Sequence, residues 1–192
     1  LDGEREHELG LALAELGPGE RDRVGRVQAR SATDPAAPRG AAAGPGSFVA
    51  ASSREGAAVI RSLTVDDAEE LTRLLVANRE LLRPFQPLRS EAFFTVDAQR
   101  DRLAAPEHLY GILDGDALAG MIELSNLARG PFQSASIGFW VDHTRRGRGL
   151  ATSAVAAIVA LAFGELALHR LEAATLVDNV ASQRVLEKNR FH

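Results

Sequence analysis

Cysteine is absent from all 192 residues. Disulfides, thiolate metal sites and a cysteine nucleophile are therefore excluded together. Histidine is sparse, and the five in the chain show no metal-ligand spacing, so no metal is expected. Basic charge is short as well. With 22 Lys and Arg against 26 Asp and Glu, a net charge of −4, the chain lacks the basic excess of a nucleic-acid binder. The longest apolar run, Ala154 to Phe163, is too short to span a bilayer, and no basic-then-apolar leader opens the sequence. The expectation is a cytoplasmic protein with no membrane partner and no direct nucleic-acid partner.

What is present is the ordinary balance of a globular protein, 45% hydrophobic and 25% charged. The length suffices for one domain with a real core. Residues 1–56 read differently from the rest. "DGEREHELGLALAEL" is suited to a short helix with Leu9, Leu13 and Leu16 on one side. The stretch after it is rich in Ala, Gly, Pro and Arg, too poor in large apolar side chains to offset its ordering entropy. It reads as a low-complexity, disordered extension, with the folded domain at 57–192.

From Ala57 the periodicity sharpens. "AVIRSL" (58–63) reads as a strand, and Thr64 with Asp67 has capping-box spacing. Leu71, Leu74, Leu75, Leu81 and Leu82 then repeat as a helix does. A proline-broken aromatic loop (83–94) precedes a second helix (95–105). Strands follow at 108–114, 117–126 and 135–142, the first two joined by a tight turn at Asp114-Gly115-Asp116. Helix 149–166 is apolar nearly all round and should be buried. Strand 170–177 and helix 179–189 close the chain. The order β-α-α-β-β-β-α-β-α implies an α/β fold, a mixed sheet with helices on both faces.

The most informative stretch is "HTRRGRGLATSAVAAIVALAF" (143–163), a basic glycine-rich turn between a strand and a buried helix. A helix start exposes unpaired N–H groups and a partial positive charge, which suits an anion. Gly147 and Gly149 let those amides approach a phosphate unobstructed, and Arg145, Arg146 and Arg148 add charge. Neither a P-loop nor a Rossmann fingerprint fits: no lysine follows the glycines, and the third small residue is missing.

Arg146, Gly149 and Ala151 form R-x-x-G-x-A, which resembles motif A of the GNAT superfamily of acyl-CoA-dependent N-acetyltransferases. "DNVASQRVLEKNRF", with Asn179 and Ser182 in register, resembles a second segment of that superfamily. "LRPFQPL…FFTVDAQ", "LSNLARGPFQSASIGFWVD" and "LALHRLEAATLVDNVASQRVLEKN" are similar to the RimJ/RimL branch, which acetylates ribosomal-protein N-termini. The resemblance covers residues 57–192. It implies a GNAT-like, mostly antiparallel sheet and acetyl-CoA as cosubstrate, with a protein N-terminus as acceptor, most specifically the N-terminal alanine of a ribosomal protein.

The resemblance also implies site residues. The turn Arg146, Gly147, Arg148, Gly149, Leu150 and Ala151 would bind the CoA pyrophosphate. Backbone near Trp140 and Val141 would meet the pantetheine arm, and Asn179 and Ser182 would contact cofactor. Phe85, Phe93 and Phe94 would shape the acceptor cleft or simply fill core. Glu123 is unusual mid-strand; it would be a general base with raised pKa, acting through water, or a carboxylate that reaches solvent or pairs with an arginine such as Arg129. Glu172 is the alternative base. Leu186 stands where many members place a tyrosine acid, and the only tyrosine, Tyr110, reads as core. Asn179 is open to a plain turn role, Ser182 to a helix-face hydroxyl, and His143 to a surface role.

The chain stops at His192, before the hairpin the resemblance implies. Strand 170–177 is accordingly expected to carry an open edge and to promote self-association, a homo-oligomer included. Arg190 stands where a helix end favours glycine. A non-catalytic acyl-CoA-binding or partner-binding module is the competing function.

Overall fold

The leucine spacing after Thr64 and the alternation after Glu107 convert directly into layers. The computed structural model describes residues 24–30, 48–50, 59–105 and 108–192. In chain order the strands are β1 (Val24–Arg30), β2 (Phe48–Ala50), β3 (Val59–Ser62), β4 (His108–Asp114), β5 (Ala117–Ala128), β6 (Ser134–Val141) and β7 (Arg170–Leu176). Helices α1 (Ala68–Leu82) and α2 (Val96–Ala104) lie between β3 and β4, α3 (Leu150–Gly164) joins β6 to β7, and α4 (Val180–Lys188) follows β7.

The seven strands form one sheet in the order β1-β7-β6-β5-β4-β3-β2. Only β6 and β7 run parallel, because the α3 crossover returns the chain to the same end of the sheet. α1 and α2 cover one face, packing Leu71, Leu74, Leu75 and Leu103 against Met121 and Trp140. α3 and α4 cover the other, packing Val155, Ile158 and Leu186 against Ile122, Ile137 and Leu171. Leu71, Ile122 and Ile158 are completely buried, and each such side chain contributes about 1.5–3 kcal/mol relative to exposure. The α1 entry is fixed by Asp67, whose Oδ2 accepts from the Thr64 amide and from Arg61, both at 2.8 Å. Those bonds precede a 3-10 turn at Val65–Asp67 rather than starting the helix directly.

Two strands lie inside the stretch that reads as a low-complexity extension. β2 pairs with β3 at one edge of the sheet. β1 pairs antiparallel with β7 along its whole length, from Val24 opposite Leu176 to Arg30 opposite Arg170. The open edge expected on strand 170–177 is therefore filled, by a segment of the chain's own N-terminal side. Sequence composition hid this strand: its core-facing positions are supplied by the small Ala29 and by Val27, too little apolar surface to announce a strand. The helix expected at residues 2–16 lies outside the described residues.

The far side of β1 is also engaged. The Gln28 amide donates to the His192 carbonyl at 2.8 Å, and the His192 amide donates back at 2.9 Å. The chain reaches that position through the end of α4. Arg190 has φ +62, and the Arg190 and Phe191 amides donate to the carbonyls of Glu187 and Leu186 at 2.9 and 3.1 Å. This is a Schellman motif with arginine where glycine is favoured, and it delivers Phe191 into the core.

Candidate active site

The turn after β6 is built from backbone. Gly147 and Gly149 have φ +76 and +78, a region that side-chain-bearing residues enter only with strain. Gly149 is the N-cap of α3, and no side chain caps that helix or places an acid in its first turn. The first amides of α3 are thus left for an external acceptor. Leu150 is buried and anchors the helix start, whereas Arg146, Gly147, Arg148 and Gly149 are exposed and Ala151 half-buried. The three arginines are not equivalent. Arg145 donates to Asp114 at 2.7 Å and Arg148 pairs with the same carboxylate, while Arg146 meets no carboxylate among the described residues. Asp114, read from sequence only as a hairpin-turn residue, thereby braces the turn from across the sheet.

β6 and β7 pair only over Ser134–Ser136 and Arg170–Glu172. Beyond Ser136 the parallel strands separate, and β7 continues beside β1 alone. The β7-facing backbone of β6 from Ile137 to Val141 is left without a strand partner among the described residues. Trp140 does not offer its own carbonyl to this gap. That carbonyl faces β5, where a Cβ on Gly120 would come within 2.2 Å of it, and the side chain is only 6% exposed in the α1/α2 layer. Peptide groups alternate sides along a strand, so those of Phe139 and Val141 face the gap.

Glu123 lies directly beside this opening. It stands opposite Gly138 on β6, and a Cβ at Gly138 would come within 3.2 Å of Glu123 Oε1. Glycine leaves room for the carboxylate to lie across the strand. Its ion-pair partner is Arg102 of α2, not Arg129, which instead donates to the Leu166 carbonyl at 2.6 Å. Arg102 sits 21 residues away on another layer, so no local pattern could have named it. Glu172 is engaged at the base of the gap, with Arg170 Nε at 3.2 Å and Gln28 Nε2 at 3.4 Å.

The segment 83–95 borders the same face. Phe93 and Phe94 meet edge to face at 5.4 Å, with Arg79 over Phe94 at 4.4 Å and Arg89 over Phe93 at 4.8 Å. Arg79 is in turn held by Glu91 at 2.7 Å. Phe85 is 46% exposed, too open to be core.

The remaining candidates divide. Asn179 is the N-cap of α4, its side chain accepting from the Ser182 amide at 3.2 Å, which is the local role weighed against cofactor contact. Ser182 is half-buried on the first turn of the same helix. Leu186 is 1% exposed and belongs to the α3 side of the core. Tyr110 is buried in that same core, and burial raises its phenol above the ordinary value. Sequence reading passed over Asn78, a polar residue at helical spacing among the buried leucines of α1. It is completely buried and bonded to Asp142 and His143.

A split between two parallel strands, beside a glycine-built helix start, points to the class. A family model described as the acetyltransferase (GNAT) domain matches residues 58–192. The chain is 38% identical over 143 residues to a protein of Bacillus subtilis described as a probable N-acetyltransferase, YjcK, covering 69% of this chain and 79% of that one. The solved structure of the ribosomal-protein-S5-alanine acetyltransferase from Vibrio fischeri superposes with a TM-score of 0.65 at 27% identity, covering 71% of this chain and 80% of that one. Mycobacterium smegmatis RimJ, solved in complex with CoA-disulfide, superposes with a TM-score of 0.60 at 26% identity, covering 75% of this chain and 72% of that one. The chain belongs to the GNAT acetyltransferases. It is an acetyl-CoA-dependent N-acetyltransferase, which sets aside the non-catalytic module. No helix among the described residues is long and apolar enough to cross a membrane.

Proposed function

We propose that this enzyme acetylates the α-amine of a protein N-terminus, with the N-terminal alanine of a cytoplasmic ribosomal protein as acceptor. The observation that carries the reading is Glu123 lying over Gly138 at the opening between β6 and β7. An α-amine titrates near 8 against about 10.4 for lysine, so a carboxylate acting through water suffices to remove its proton. Similarity to the S5-alanine acetyltransferase of Vibrio fischeri supports the choice of acceptor.

In this reading residues 57–192 are the transferase domain, and β1 is a strand added to it. The pyrophosphate lies against the amides of Gly147, Gly149, Leu150 and Ala151, with Arg146 as its free cation and Arg148 shared with Asp114. The pantetheine arm runs along β6 beside Phe139 and Val141, and Asn179 and Ser182 border it from α4. The amine attacks the thioester carbonyl, and a strand N–H facing the gap stabilises the oxyanion. Glu123 takes the amine proton through water, the C–S bond breaks, and the thiolate takes its proton from solvent because Leu186 offers none. Phe85, Phe93 and Phe94 line the path of the acceptor peptide.

The test is incubation with acetyl-CoA and peptides differing only in their first residue, read by mass spectrometry. A mass increase of one acetyl group on the alanine peptide's α-amine, ahead of the other peptides, is expected. Modification of lysine side chains alone, or of small amines and no peptide, overturns the acceptor assignment.

A further inference from the structure

Asn78 sits in the middle of α1, the helix of the acceptor-side layer, and is completely buried. Its carboxamide has two donors and two acceptor lone pairs, and all four are used. Nδ2 donates to the Leu74 carbonyl at 2.9 Å and to Asp142 Oδ1 at 3.0 Å. Oδ1 accepts from the His143 amide at 2.9 Å and from His143 Nδ1 at 3.0 Å. His143 Nδ1 is also 3.2 Å from Asp142 Oδ1. Both of its neighbours there are acceptors, so that nitrogen carries the proton.

Asp142 continues the chain of bonds into the turn. Its Oδ2 accepts from the Thr144 hydroxyl at 2.6 Å, its carbonyl accepts from the Arg145 amide at 2.9 Å, and its own amide donates to Ala119 at 2.7 Å. Burial on its own raises the Asp142 carboxyl. The hydrogen bonds from Thr144 and Asn78 outweigh it and leave the carboxyl below the ordinary carboxylate range. Asn78 thus holds the His143 amide directly and, through the Asp142 carboxylate, the Thr144 hydroxyl at one remove. Beyond Arg145 the glycines begin, and Asp114 braces the turn through Arg145 and Arg148, while Glu70 of α1 lies near enough to Arg145 to feel its charge.

We infer that Asn78 is a positioning residue for acetyl-CoA: it locks Asp142 and His143 to α1 and thereby sets where the turn presents its amides and Arg146 to the pyrophosphate. This rests on the reading of that turn as the pyrophosphate site. A buried, fully satisfied polar network of this kind specifies one geometry, and a partly broken one does not. The network ties the cofactor turn to the helix that flanks the acceptor, two parts that share no other described hydrogen bond.

The experiment is calorimetric titration of acetyl-CoA into wild type, Asn78→Leu, Gly149→Val and the pair Asn78→Asp and Asn78→Asp/Asp142→Asn. Asn78→Leu, close in size and without hydrogen bonds, is expected to weaken binding about tenfold through misplaced contacts. Because the titration reads the affinity of folded protein, a merely structural Asn78 would lower the melting temperature and leave the dissociation constant unchanged, which overturns the inference. Should Asn78→Leu not fold, the swap decides. Asn78→Asp sets two carboxylates against each other and is expected to lose binding, and adding Asp142→Asn returns one carboxylate and one amide to the contact and is expected to restore most of it. No restoration overturns the inference. Gly149→Val separates the two readings: if it binds as wild type, the turn is not the pyrophosphate site; if it fails while Asn78→Leu binds normally, only the positioning role is lost.

Discussion

The two regions proposed here to meet the cofactor and the acceptor are held together by different means. On the cofactor side, the contact surface comes from backbone, with two glycines at positive φ, an uncapped helix start and a strand with an unpaired edge, and the side chains that brace it are a buried amide–carboxylate pair. On the acceptor side it comes from long side chains at the surface. Arg79, Glu91, Phe93 and Phe94 hold one another, yet Glu91 is 81% exposed. Exposed ion pairs are weak and screened by salt. The difference teaches where each function resides. Every member of a family that uses one cofactor can share a backbone site, whereas an acceptor cleft made of surface side chains is free to vary with the acceptor.

The largest expected effect is at Gly149. Valine there would be strained by its positive φ, though no neighbouring atom lies within 4 Å of its Cβ in the free protein. The variant should fold, and its side chain would occupy the space a phosphate needs. Wild type should be stabilised against heat by millimolar acetyl-CoA, as any ligand of the native state does, and Gly149→Val should show no such shift. A retained shift would move the cofactor site elsewhere.

Next in size is Glu123→Gln, which keeps the shape beside Gly138 and removes the charge paired with Arg102. Turnover should fall about 100-fold, the scale of a lost general base, as measured by steady-state acetylation of the best acceptor peptide. An unchanged rate would leave the acceptor side without its base and blur the comparison.

A third test removes residues 1–30 and with them β1. The outer edge of β7 would then be unpaired over Arg170–Leu176, and an exposed edge recruits other chains. Light scattering should report association of the shortened protein but not of the full chain, while acetyl-CoA affinity in the soluble fraction stays within a few-fold of wild type. A shortened protein that stays monomeric at high concentration would mean β1 adds nothing that β7 needs.

The smallest effect serves as a control on both sides. Arg190→Gly relieves a left-handed residue at the end of α4 and should raise stability by about 1 kcal/mol, or a few degrees in Tm. Neither acetyl-CoA affinity nor turnover should change.

The same contrast explains what could be read without coordinates. The glycine turn at the start of α3 was legible as local structure because glycine spacing, arginines and a following apolar run are local signals. Gly147 and Gly149 take the positive φ and helix-start positions that pattern implies; the turn's role toward the cofactor is the proposal made above. The strands and helices from residue 59 onward were legible because Leu71, Leu74 and Leu75, or the alternation along β4 to β6, carry their period in the sequence. Arg102 with Glu123 and Asp114 with Arg148 were not legible, since each joins layers through residues 21 and 34 positions apart. Asn78 was visible only as a polar residue in an apolar helix face, with nothing nearby to name Asp142. β1 was hidden for another reason. A strand whose core face rests on Ala29 and Val27 gains its place from the edge it covers, not from its own hydrophobicity.

The most direct test of the account is equilibrium binding of acetyl-CoA to Gly149→Val and Glu123→Gln beside the wild type. If cofactor capture belongs to the backbone turn and chemistry to the acceptor face, Glu123→Gln binds within about twofold of wild type, since its carboxylate acts on the amine and not the cofactor. Gly149→Val then shows no measurable binding. Equal loss in both variants, or wild-type affinity in Gly149→Val, would contradict the division of labour on which the whole reading stands.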